Sequence, residues 1–179
     1  MGMYDELTLE NLLSPESAAI ARKIGTEKIA PVGLDALESD ALRDFADFWN
    51  KARDGMPLPC VTRLDPVQIP KHLSQAILIN VEHDPLAFQF RLVGDGPVQA
   101  YGFNTAGMDV MDLEVGGVPV GKMMHEVYSW IAAQRKIVAM KGPNAALADG
   151  YKRQEMVYLP FSDGGSRIVR ILGAAVYYR

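Results

Sequence analysis

Hydrophobic positions along this chain follow two rhythms, a helical one in the first third and the centre, and a two-residue one around them. A short helix is predicted over "ESAAIARKI", because Ser14 is a capping residue, Pro15 suits the first helical position and Gly25 can close the last turn. A second helix is predicted from Ser39, where Leu42, Phe45, Phe48, Trp49 and Ala52 share one side and Gly55 stops the pattern. Four prolines then punctuate "MPLPCVTRLDPVQIP" and make it an extended connector, ended by a turn at Lys71 to Gln75. Two strands follow, "AILINV" and "AFQFRLVG", joined by the turn-forming "EHDPL". In the second, Phe88, Phe90 and Leu92 alternate with Gln89 and Arg91, which predicts one buried face. Six glycines between Gly94 and Gly117 break the chain into turns and single-turn helices. A long helix is predicted in "VPVGKMMHEVYSWIAAQRK", its stripe made of Val120, Met123, Met124, Val127 and Ile131. The C-terminal third reads as three strands, "IVAM", "YKRQEMVYLPF" and "SRIVRILGAAVYYR", the last two joined by "SDGG".

The final strand is apolar in both phases: Ile168, Leu172 and Val176 point one way, Val169, Ile171 and Ala175 the other. A sheet with one wet face would alternate clearly, so this sheet is expected to be covered on both sides. The central helices can cover one. The aromatic helix at 39–53 is the candidate for the other, within one chain or across a dimer. The order of elements predicts an α+β fold built on an antiparallel sheet, with 1–34 as an N-terminal extension, 35–55 as the amphipathic helix and 56–179 as the core.

Composition narrows the function classes. At 179 residues and 49% hydrophobic, the chain can bury a sizeable core. A formal net charge of -4 with no local Lys/Arg cluster offers nothing to a phosphate backbone, so no nucleic-acid partner is expected. No apolar run is long enough to span a bilayer, and no cationic, apolar leader opens the chain, so no membrane partner and a cytoplasmic address are expected. Cys60 is alone, which excludes an internal disulfide framework.

Six local pieces in order, "FW", "DGMPLP", "LDPVQIPKHL", "FRLVGDG", "YGFNTAGMDVMDLE" and "VYLPFSDGGSRIVRILGA", resemble a PAS domain from Asp40 to the C-terminus, of a single-PAS bacterial subfamily frequent in alphaproteobacteria and long filed as a domain of unknown function. The resemblance implies a PAS fold: a five-stranded antiparallel sheet with helices on one face and an N-terminal amphipathic helix on the other that often mediates dimerisation. In that frame Phe45, Phe48 and Trp49 are expected at a homodimer interface or as cover for the chain's own sheet.

The candidate chemistry is sparse. Light-sensing PAS domains of the LOV type carry a flavin-reactive cysteine in Gly-x-Asn-Cys-Arg, and the equivalent "GFNTAG" has Thr105 there, which disfavours flavin. His125 lies on the long helix, where haem-binding PAS domains place an axial histidine. Its helical neighbours Gly121 and Ser129 are off the apolar stripe, so haem is disfavoured too. His72 and His83 lack a metal-ligand spacing. Serine, histidine and aspartate could still meet in space, but no nucleophile elbow is visible, and "FRLVGDGP" lacks the spacing of a phosphate-binding loop, so it reads as a strand end turning over the interior. What remains is a ligand pocket of Phe90, Leu92, Met123, Met124, Val127, Tyr128 and Tyr158, with methionines to adapt to shape and phenols as polar handles. The sequence therefore predicts no enzyme and no bound cofactor. It predicts a sensory or regulatory module that signals through a small ligand, a protein partner or both, with a structural dimeric scaffold with a filled core as the alternative.

Overall fold

The computed structural model describes residues 7–65 and 68–179; Pro66 and Val67, within the connector piece "LDPVQIPKHL", lie outside the described residues. A six-stranded sheet forms the centre, in the order β1-β6-β7-β8-β2-β3. Its strands are β1 (Ala30–Val32), β2 (Ala76–Glu82), β3 (Ala87–Val93), β6 (Val138–Pro143), β7 (Arg153–Ser162) and β8 (Ile168–Tyr178), and every neighbouring pair is antiparallel. The helices are α1 (Leu9–Leu12), α2 (Pro15–Ile24), α3 (Asp40–Arg53), α4 (Asp95–Tyr101) and α5 (Gly121–Gln134), and a small hairpin of β4 (Glu114–Val115) and β5 (Val118–Pro119) precedes α5.

The helix signals act where they stand in the sequence. The Ser14 side chain accepts from Ser17 N at the start of α2, and Gly25 ends it in the left-handed conformation at φ 73°. Ser39 caps α3 by accepting from Leu42 N. Gly121 starts α5 where a Cβ would lie 2.1 Å from the Met111 carbonyl oxygen, so a side chain there would push α5 off the turn at Val110–Asp112.

The sheet differs from the five-stranded expectation by one strand. The sixth is β1, which pairs with β6 through Ala30–Lys141 and Val32–Ala139, and it comes from the stretch read as an extension. Residues 7–33 are integral to the core: Leu9, Ala21 and Ile29 are buried, and Leu9 N donates to Ile29 O at 2.7 Å. β1 escaped detection because three residues including a proline carry no readable alternation.

α3 covers the outer face of β7 and β8, and here the interface assignment needs correction. Phe45, Phe48 and Trp49 are 0%, 7% and 4% exposed in the single chain. Trp49 Nε1 donates to Pro160 O at 2.7 Å, and the Phe48 ring lies 6.4 Å from that of Phe161. These aromatics brace their own sheet and offer no surface to a second copy. The N-terminus of α3 is held from below by Glu155, fully buried on β7, whose carboxylate accepts from Glu38 N, Ser39 N and Tyr178 OH at 2.9, 3.1 and 3.0 Å. A buried carboxylate needs such partners, and the free N–H groups at the helix start supply two of them.

Candidate functional site

Between the inner face of the sheet and the helices lies a cavity of about 120 Å³. β7 supplies Gln154, Met156 and Tyr158 at every second position, while Glu155 and Phe161 face α3; the strand's unbroken burial follows from having structure on both sides. α5 supplies Val120, Met123, Met124, Val127 and Tyr128, β8 supplies Ala175 and Tyr177, and β3 supplies Phe90 and Val93. Of the seven residues predicted from sequence, Phe90, Met123, Met124, Val127, Tyr128 and Tyr158 line this cavity together.

Leu92 does not. It is 47% exposed, because the β2–β3 ladder carries a bulge: Leu78 pairs with Leu92 but the next residue, Ile79, pairs with Phe90. Arg91 is the extra residue, and it reverses the phase of the strand beyond it. Leu92 turns outward and Val93 takes the cavity position.

The N-terminal arm makes one wall through Leu9, Ile24, Thr26 and Ile29. It is fastened to α5 by Glu126, whose carboxylate accepts from Ser14 N at 2.9 Å, Ser14 Oγ at 2.8 Å and Ser17 Oγ at 2.9 Å. Lys122 forms an ion pair with Glu16 beside it. Partial burial acts to raise the Glu126 pKa, but the hydrogen bonds from Ser14 and Ser17, with Lys122 nearby, outweigh it and hold the carboxyl below its ordinary value.

Polar groups cluster at the β7 side. Asn144 Nδ2 donates to Gln154 Oε1 at 3.0 Å and to Tyr101 OH at 3.1 Å, Tyr101 OH donates to Gln154 Oε1 at 3.2 Å, and Asn144 Oδ1 accepts from Ala146 N at 2.9 Å. Tyr158 OH and Gln154 Nε2 both donate to Met156 Sδ at 3.2 Å. Desolvation by burial raises the pKa of Tyr101, Tyr128, Tyr158 and Tyr177, so all four stay protonated at neutral pH. Gln154 and Tyr177 were legible in the sequence, two residues along from Met156 and Ala175 in the same strand phase. Tyr101 and Asn144 were not, since a short helix and a loop bring them in.

The remaining candidates fall elsewhere. Thr105 does line the cavity, at the place the LOV comparison assigns to the cysteine, while Cys60 sits on the connector, where its backbone pairs with that of Ser162. His125 Nε2 lies 2.9 Å from Leu86 O, and its ring is edge-on to Phe88 at 5.2 Å, outside the cavity lining. His72 lies 2.9 Å from Asp44 and His83 2.7 Å from Ile168 O. Among the described residues, no three or more His, Cys, Asp and Glu side chains come together as a metal site. No helix there is long and apolar enough to cross a membrane.

The result is an antiparallel sheet wrapped on one side by short helices and a long one around an interior cavity. A family model described as PAS domain matches residues 37–176, and the chain belongs to that family. PAS domains are sensory and regulatory modules, typically without catalysis of their own. No curated protein and no solved structure matches the chain.

Proposed function

We propose that this chain is a non-catalytic sensory module in which a small molecule occupies the inner cavity and the N-terminal arm carries that occupancy to a partner protein. The observation that supports the reading is the arm's double role: it forms a wall of the cavity and is tied to the helix opposite the sheet at one carboxylate, Glu126. A ligand that changes the packing of Met123 and Met124 bears on the same helix that holds Ser14 and Ser17. Flavin and haem are not part of the proposal, because Thr105 lacks the reactive sulfur and His125 lies outside the cavity. Signalling through a homodimer remains compatible with it, with the contact elsewhere than on Phe45, Phe48 and Trp49.

Native mass spectrometry of the purified protein should show an added small mass that denaturation removes, and hydrogen exchange in α2 should slow when the cavity is occupied. A protein that retains no small molecule, and whose melting temperature no member of a small-fragment library shifts, would leave a scaffold with a closed interior.

A further inference from the structure

The Tyr128 hydroxyl, midway along α5, is a polar group at the cavity that the surrounding structure leaves without an obvious purpose. Tyr128 is 3% exposed and lines the cavity, with its ring 6.1 Å from Tyr158 and 6.2 Å from Phe90. Tyr101, Asn144 and Gln154 satisfy one another, and Tyr158 has Met156 Sδ; no described residue hydrogen-bonds to Tyr128 OH. A hydroxyl that is shielded from bulk water and borders open space keeps a free donor that a bound acceptor can use. Tyr177 and Thr105, partly buried on the same cavity, add two further hydroxyls that no described residue hydrogen-bonds. Among the described residues lining the cavity there is no Asp, Glu, Lys, Arg or His, so an ion entering it would lose hydration without gaining a counter-charge. An apolar cavity of about 150 Å³ accommodates benzene, so this one, at about 120 Å³, suits a ligand of about six non-hydrogen atoms.

We infer that the cavity selects an uncharged, mainly apolar molecule of that size bearing an acceptor oxygen, a small ketone or ether-like compound, which takes the hydrogen bond of the Tyr128 hydroxyl. The inference rests on the reading of the cavity as a ligand site. Tyr128 acts as the donor that separates acceptor-bearing ligands from plain hydrocarbons, and the uncharged lining separates both from ions of the same size.

The test uses four probes of about equal size, cyclopentanone, methylcyclopentane, cyclopentylammonium and isobutyrate, titrated into the full chain labelled with 13C at its methionine methyls. Met123, Met124, Met140 and Met156 line the cavity, while Met56 and Met111 are exposed controls. Cyclopentanone should shift the cavity methyls, bind about three- to tenfold more tightly than methylcyclopentane, and outcompete both ions. Tyr128→Phe should abolish the preference for the ketone while methylcyclopentane still binds, and Tyr158→Phe should leave the preference in place. The carbonyl carbon of bound cyclopentanone should also move downfield, a sign of a hydrogen bond read without any variant. Equal binding of ketone and hydrocarbon, or a preference that survives Tyr128→Phe, overturns the inference and leaves the cavity reading intact. Tighter binding of either ion overturns it as well. If no probe moves the cavity methyls, the space is closed or holds only water, and both readings fail.

Discussion

On its outer side β7 meets α3, and on its inner side it meets a cavity; one strand thus borders a closely packed and a hollow part of the molecule. Outside, Phe48, Trp49 and Phe161 interlock and the indole N–H has its carbonyl. Inside, Tyr158 and Met156 border a space of about 120 Å³. Both faces are apolar in sequence, and burial alone does not tell them apart. What separates them is the size of the opposing residues and whether polar atoms in the contact are satisfied. A filled face resists change; an open one can respond to what enters it.

The sharpest way to break the comparison is on the outer face. Trp49→Ala should cost about 3–5 kcal/mol in a urea titration, since it removes a close-packed indole and leaves Pro160 O without its donor. Light scattering should give the same mass for variant and wild type; a drop in mass would return α3 to an interface between chains.

A paired experiment contrasts the two faces directly. Ala46→Leu, on buried α3, should cost about 1–3 kcal/mol by overpacking. Ala175→Leu, which adds the same atoms at the cavity, should cost under about 1 kcal/mol, because the new methyls enter open space instead of displacing packed neighbours. Equal losses from both would show that the inner face is as tightly filled as the outer.

The smallest expected effect concerns the arm. The folded pKa of Glu126 is lowered, so its contribution is present above the ordinary carboxylate range and is lost as pH falls through the folded value. The amide resonance of Ser14, which donates to Glu126 Oε2, should titrate with a midpoint below that of an ordinary glutamate. Glu126→Gln should flatten this titration and speed exchange in α2 at neutral pH. A Ser14 midpoint at or above the ordinary value would detach the arm from this carboxylate.

The comparison also explains how much was legible in the sequence. Local codes acted as local physics requires: Ser14, Pro15 and Gly25 bounded α2, Ser39 started α3, and the two-phase apolar strand at the C-terminus became the doubly covered β8. Six of the seven predicted pocket residues converge, because a helical stripe and a two-residue alternation each identify a face. Leu92 failed because a bulge is a property of two strands in register, and neither strand's pattern announces it. The aromatic stripe of α3 fixed which side of the helix would be buried, but an amphipathic face does not say whose sheet will bury it. The arm was missed as a wall because it contributes Leu9 from α1, a four-residue helix, and Ile24, Thr26 and Ile29 from the end of α2 and the loop behind it, whose placement depends on contacts with distant residues.

β1 also has a bearing on solubility. It hydrogen-bonds along Ala139, Met140 and Lys141, so the outer rim of β6 has a partner only while residues 30–32 stay in place. Pro31, at the middle of β1, has no N–H to extend the ladder further. Cutting the chain after residue 33 would leave the β6 rim bare beside the apolar Val138 and Met140, the kind of template on which further copies stack. Preparations trimmed in this way are expected to turn cloudy on concentration while the intact chain stays clear.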